Sequence, residues 1–175
     1  MRTRVGYAGG TTIDPTYHDL ADHTEVFQLD YDPRILSYAE LLDAIWTHRR
    51  GGRSSNRQYM DAVFCATAEH AAIARSKNVT APIITGARFY LAEDYHQKYY
   101  LRHDSMLMRE LAAYSPQDFV ESTVAARLNG YVAGNGTLGM LREDLPRLGL
   151  SAAANAHLER LVGMRARIAC GTTPA

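Results

Sequence analysis

A glutamate stands among large apolar residues in the stretch Thr24-Glu25-Val26-Phe27-Gln28-Leu29-Asp30-Tyr31, whose side chains alternate with the period of a β-strand. Counting by twos puts Glu25 on the face shared by Phe27, Leu29 and Tyr31. A carboxyl on an apolar face loses hydration, which disfavours its charged form and raises its pKa. Such a group keeps a proton near neutral pH and can donate it as a general acid. The same position also fits a glutamate at the mouth of the strand, exposed or paired with His23 or an arginine, because ion pairs perturb carboxyls too.

Other residues could meet such an acid. Tyr7 lies in Val5-Gly6-Tyr7-Ala8-Gly9-Gly10, where glycines let backbone or ligand come close because no Cβ intrudes. Taken alone, that pattern is a strand ending in a turn. Tyr59 opens a second strand-like run, and among 11 tyrosines any single one reads first as packing. Cys65 shares the strand parity of Tyr59 but lies three alternations further on, roughly 20 Å by strand rise, too far to share a substrate atom. It reads as a small buried hydrophobe.

The elements that would hold these residues alternate in type. Strands are expected over residues 2–7, 24–31, 58–65 and 83–89. Thr11 to Asp22, with Pro15 and many polar residues, reads as a loop. Ser37-Tyr38-Ala39-Glu40 is a capping box opening a helix whose Leu41, Leu42, Ile45 and Trp46 face the core. Thr67 caps a helix through about Lys77, and residues 92–102 read as another. From Met106 onward helical periodicity dominates, with breaks at Ser115-Pro116, Asn129 to Gly136 and Gly149, and a last helix opening at Ser151. The expected fold class is α/β (α+β), a two-layer mixed sheet with helices, in a single domain over residues 1–175. Within it, residues 1–103 form the core and residues 104–175 a helical C-terminal extension.

Composition narrows the function classes. The chain has 175 residues, 46% of them hydrophobic, enough for one packed domain. Lys plus Arg and Asp plus Glu number 19 each, so no net field draws the chain to nucleic acid or an acidic membrane. The run Arg49-Arg50-Gly51-Gly52-Arg53 reads as a solvated loop, with an anion site as the alternative. No apolar stretch nears the roughly 20 residues that span a bilayer. Met1-Arg2-Thr3-Arg4 runs straight into a strand, so no signal peptide is expected, and two cysteines make no secreted disulfide scaffold. The expected compartment is the cytoplasm. No glycine loop cradles phosphate after a strand, and the seven histidines do not pair at zinc-ligand spacings, so no bound cofactor or metal is expected.

Several short stretches then line up in order. Arg4-Val5-Gly6-Tyr7-Ala8-Gly9-Gly10, Pro15-Thr16-Tyr17, Asp22-His23-Thr24-Glu25-Val26, Asp30-Tyr31-Asp32-Pro33, Gln58-Tyr59 and Ala92-Glu93-Asp94-Tyr95-His96-Gln97-Lys98-Tyr99 together resemble the successive signatures of the A-type peptide methionine sulfoxide reductases. Ala126-Arg127-Leu128-Asn129-Gly130-Tyr131-Val132-Ala133-Gly134 is similar to a variant branch of that family with a longer helical C-terminus. The resemblance implies a ferredoxin-like core and reduction of methionine S-sulfoxide in proteins. In that chemistry a cysteine thiolate attacks sulfur, a glutamate protonates the oxygen, and two tyrosine hydroxyls hold it. By position it makes Glu25 the acid and Tyr7 and Tyr59 the donors. Donors fixed around the oxygen would stabilise the negative charge it gains as sulfur is attacked.

The resemblance also marks departures. The family's nucleophile lies in a Gly-Cys-Phe-Trp segment at a helix start, preceded by a strand, and no such segment occurs in this sequence. The core therefore reads as N-terminally incomplete and without its nucleophile. The Asp-x-Gly that precedes Gln-Tyr in the family is replaced by Ser54-Ser55-Asn56-Arg57. Cys170 is similar in placement to the family's resolving cysteines, which a mobile tail could carry to the nucleophile; an idle thiol fits equally. The implied reductant is a thiol, thioredoxin or dithiothreitol, and the implied partners are proteins containing methionine sulfoxide. Two functions stay open: a reductase whose sequence lacks its N-terminal segment, or a non-catalytic form that binds oxidised methionine. In the second, residues 2–7 are expected at a sheet edge or gap, and dimerisation could cover the exposed surface.

Overall fold

The computed structural model describes residues 1–48, 56–77 and 79–169, with side chains to Arg165; the basic run at 49–53 and Cys170 lie outside them. The chain is α+β and divides into two compact units, the second beginning at Asp94. The boundary thus precedes the expected one at residue 103.

The first unit contains every strand. β1 (Arg2–Ala8), β2 (Thr24–Asp30), α1 (Tyr38–His48), β3 (Val63–Cys65), α2 (Ala68–Ser76), β4 (Ile83–Thr85) and β5 (Phe89–Leu91) follow in that order. Among the described residues the strands form two sheets, one ordered β2-β1-β5 and the other a β3-β4 pair. β1 and β5 run antiparallel with Gly6 opposite Leu91, whereas β3 and β4 run parallel with Val63 opposite Ile83. Gly6 is required there: a Cβ would sit 2.2 Å from the Tyr90 carbonyl oxygen. β1 lies between two neighbours, so the expectation of an edge at residues 2–7 does not hold. The outer strands of that sheet are β2 and β5.

The helix starts read from the sequence form as expected. Glu40 accepts from the Ser37 backbone N–H at 2.9 Å, and Ser37 Oγ accepts from the Glu40 N–H at 3.3 Å, closing the capping box. Thr67 Oγ1 accepts from His70 N–H at 3.0 Å. Leu42, Val63, Cys65, Ala71 and Ala74 form a small core under these helices.

Three expected elements break where a local feature competes. The run from Gln58 to Cys65 is not one strand: Asn56 Oδ1 takes the Gln58 N–H at 3.0 Å and turns Arg57–Tyr59 into a 3₁₀ helix, leaving only Val63–Cys65 extended. The run over 83–89 splits at Gly86, whose φ of +72° turns the chain from one sheet to the other. The helix expected over 92–102 becomes a 3₁₀ turn, Asp94–His96, and a short α3 (Tyr99–Arg102). Between them Lys98 is left-handed, at φ 54°, with its buried ammonium donating to the Val120 carbonyl at 2.7 Å.

The second unit continues with α4 (Ser105–Glu110), α5 (Pro116–Glu121), α6 (Thr123–Val132), α7 (Leu138–Leu148) and α8 (Ala152–Ala169). Polar caps start them: Asp104, Ser115, Ser122 and Thr137 accept N–H bonds for α4 to α7. Ser151 Oγ does the same for α8, accepting from Ala154 N–H at 3.2 Å. Leu101, Leu107, Leu128, Leu141 and Leu158 are fully buried in its core. Within it, Asp144 accepts from Tyr131 at 2.8 Å and from Arg127. Burial and then that bond push the Tyr131 phenol up to about 12.

Candidate functional site

β2 opens where a polar scaffold locks three loops together. His23 is 1% exposed, with Nδ1 accepting from Gly10 N–H at 3.2 Å and Nε2 meeting Thr12 O at 3.0 Å. That pair of contacts fits a neutral ring protonated at Nε2. A Cβ on Gly10 would fall 2.4 Å from the imidazole, so only glycine fits. Asp22 accepts from Thr11 N–H at 2.8 Å, and that bond holds its carboxyl below the usual value. Arg57 then ties the 3₁₀ turn to this scaffold, donating to Asp22 O at 2.6 Å and Gly9 O at 2.9 Å. Thr24 Oγ1 closes the joint on Arg57 O at 3.0 Å.

These ties bring Gln58 and Tyr59 beside Glu25. Gln58 Nε2 donates to Glu25 Oε1 at 2.6 Å. The Glu25 charge, with lesser contributions from desolvation and from Tyr17, raises the Tyr59 phenol above its usual value, and Tyr59 and Tyr17 share a side-chain hydrogen bond. A phenol held protonated stays a donor. Tyr59 is 53% exposed and Tyr17 is 40% exposed, so all three groups face solvent around Glu25. The expectation of a desolvated Glu25 on an apolar face is therefore corrected. The strand parity is right, but that face is open, and Phe27 on it is 58% exposed.

Tyr7 sits elsewhere. Its ring is 2% exposed and its hydroxyl donates to Glu93 Oε2 at 2.7 Å, while Glu93 Oε1 accepts from Tyr17 N–H at 2.9 Å. Glu93 thus bridges the Tyr7 hydroxyl to the Tyr17 backbone. Cys65, 5% exposed, touches the Tyr38 hydroxyl at 3.6 Å, and Tyr38 stacks on His70, which Tyr31 meets at 3.4 Å. Tyr31 directly follows β2, six residues on from Glu25, roughly 20 Å by strand rise. Cys65 belongs to the Tyr31 end, away from Glu25. No group of three metal-ligating side chains occurs among the described residues.

A carboxyl, an amide and two phenols converging on one open point form a cradle for a polar oxygen. The family model described as peptide methionine sulfoxide reductase matches residues 1–128. The chain belongs to the peptide methionine sulfoxide reductase family. A peptide methionine sulfoxide reductase of Drosophila melanogaster is 37% identical over 86% of this chain and 66% of its own length. Peptide methionine sulfoxide reductase A5 of Arabidopsis thaliana is 35% identical over 76% of this chain and 59% of its own. A relative from Rhodospirillum centenum, named as a peptide methionine sulfoxide reductase, is 36% identical over 55% of each chain. The chain therefore spans less than two thirds of the length of these curated relatives.

The family-like motifs gave roles to Glu25, Tyr7 and Tyr59 and none to Tyr17, Gln58, Glu93 or Arg57. Pro15-Thr16-Tyr17, Gln58-Tyr59 and Glu93 all lie inside the family-like motifs, so the signal was present. What it lacked was proximity. Arg57 occupies a position where the family's usual aspartate and glycine are replaced, and here it anchors the turn that carries Tyr59.

Proposed function

We propose that the Glu25 cluster is the oxygen-binding side of a peptide-methionine (S)-S-oxide reductase site. The observation that carries this reading is the convergence of Glu25, Gln58, Tyr59 and Tyr17 on one solvent-facing point. A sulfoxide oxygen seated there would accept from the two phenols, while Glu25, taking up a proton, would deliver it to the oxygen as sulfur is attacked. The overall reaction joins one sulfoxide and two thiols. The sulfoxide oxygen leaves as water, sulfur gains two electrons, and the thiols become a disulfide. The attacking thiol is not Cys65, which lies buried in β3 beside Tyr38. Tyr7 is proposed as a positioning residue, acting through Glu93. A thiol such as thioredoxin or dithiothreitol would be the reductant and oxidised proteins the substrate, with the cytoplasm as the compartment. Cys170 is proposed as a resolving thiol.

A second reading is favoured by the same position of Cys65: residues 1–175 bind methionine sulfoxide without turning it over. Titration of the protein with a peptide containing methionine S-sulfoxide, followed by NMR of labelled tyrosines, tests both. Shifts at Tyr59 and Tyr17 that the R epimer and the unoxidised peptide do not produce are expected. Equal responses to all three peptides would overturn the site. Turnover with dithiothreitol then separates reductase from binder.

A further inference from the structure

The acid and the phenol at the centre of the cluster are natural partners for each other. An ionised carboxyl only accepts, with two oxygens, and a phenol offers one O–H. A bond between them would be charge-assisted and short, spending the hydroxyl hydrogen and one carboxyl oxygen before any ligand arrived. Glu25 stands close enough for its charge to be the first cause of the raised Tyr59 phenol. Among the described residues, however, no hydrogen bond joins the two side chains.

Gln58 stands between them. Its Nε2 donates to Glu25 Oε1 at 2.6 Å, and its side chain also shares a hydrogen bond with Tyr59. That second bond opposes the Glu25 charge and lowers the phenol. A hydrogen bond lowers an acid's pKa when it favours the charged form, so here the amide donates and the phenol oxygen accepts. A primary amide carries two N–H groups on one nitrogen, enough for both partners at once. The backbone beneath it is set without its help. Asn56 Oδ1 takes the Gln58 N–H at 3.0 Å, and Arg57 donates to the carbonyls of Asp22 and Gly9. Thr24 Oγ1 donates to Arg57 O at 3.0 Å, which sets Glu25 and Gln58, the next residue of each, side by side.

We propose that Gln58 is a positioning residue that acts as a spacer: its amide holds Glu25 and Tyr59 apart, so that neither is spent on the other and both face the ligand oxygen. With Oε1 taken by the amide, the proton that Glu25 delivers sits on Oε2. With its oxygen accepting from the amide, Tyr59 keeps its hydrogen for Tyr17 or for a ligand oxygen. An apolar residue at position 58 would let the hydroxyl close on the carboxyl, and a sulfoxide would have to break that bond to enter. The identity of the ligand rests on the proposed reductase reading; the spacing of acid and phenol does not.

The test uses the whole chain and Gln58→Met, which keeps the length of the side chain and removes both N–H groups. NMR titration of the labelled Tyr59 ring, with no ligand present, reads the spacing. The phenol should titrate higher in Gln58→Met than in the parent, because it loses the amide and donates straight to Glu25. A titration that moves down toward 10.0 would mean that Gln58 only held Glu25 in place, and an unchanged one that the amide separates nothing; either overturns the spacer. A peptide carrying methionine S-sulfoxide should bind Gln58→Met about tenfold more weakly than the parent. In a Tyr59→Phe background the same change should cost little, since no hydroxyl remains to close on the carboxyl. An equal loss in both backgrounds would also overturn the spacer. If the parent binds no sulfoxide peptide while the Gln58→Met phenol still rises, the spacer stands and the reductase reading alone fails.

Discussion

On the proposed reading, two phenols and a carboxyl carry the chemistry at the scale of single residues. The Tyr59 phenol titrates above its usual value of 10.0 first because of the Glu25 charge. Removing that charge in Glu25→Gln should bring the Tyr59 titration, followed by NMR of the labelled ring, back down toward 10.0. An unchanged titration would mean that the two groups are not neighbours in solution. On the proposed reading, Tyr59→Phe and Tyr17→Phe each remove one donor and should weaken binding of the sulfoxide peptide by about 1 kcal/mol, roughly fivefold, with little change in melting temperature. Tyr7→Phe should behave differently. It removes one donor to Glu93, which holds the Tyr17 backbone, so stability should fall by about 1–3 kcal/mol and sulfoxide binding should weaken with it.

Caps and clasps govern the elements. Ser37→Ala opens the capping box of α1 and should destabilise the protein by about 1 kcal/mol in urea unfolding, whereas Ser37→Asp should restore most of that loss. In the second unit Glu110 accepts from the Ser151 backbone and hydroxyl, both at 2.8 Å, and the backbone bond, more than the hydroxyl, lowers its pKa below 4.5. The sign follows from a depressed folded value. This stabilisation is fully present above the unfolded pKa of about 4.5 and is lost as pH falls through the folded one. Melting curves of Glu110→Gln should therefore differ from those of the parent at neutral pH and converge with them in acid. A difference that stays constant with pH would refute the clasp.

At the scale of the molecule, the two units differ in how they are filled. The helical unit has a contiguous core in which Leu128 is fully buried. Leu128→Ala should cost about 2–5 kcal/mol by loss of contacts and creation of a cavity, measured by chemical unfolding. The strand-bearing unit instead holds a cleft between two sheets, so a substitution that fills it should stabilise rather than strain. Ala62→Val, which adds volume at the cavity wall, is expected to be neutral or to raise the melting temperature slightly.

The sequence by itself determined the local choices. Ser37, Thr67 and Ser151 announced helix starts because a side-chain oxygen that accepts from the backbone N–H three residues on acts without distant help. The alternation of residues 24–31 announced β2, and the ordered motifs announced the family. Tertiary structure decided which side of β2 faces water, since period-two alternation assigns two faces without saying what covers either. It also decided that Tyr17 stands beside Tyr59, because that depends on Arg57 reaching back to Gly9 and Asp22 across more than thirty residues. Long-range ties of this kind join loops whose own sequences carry no mark of their partner.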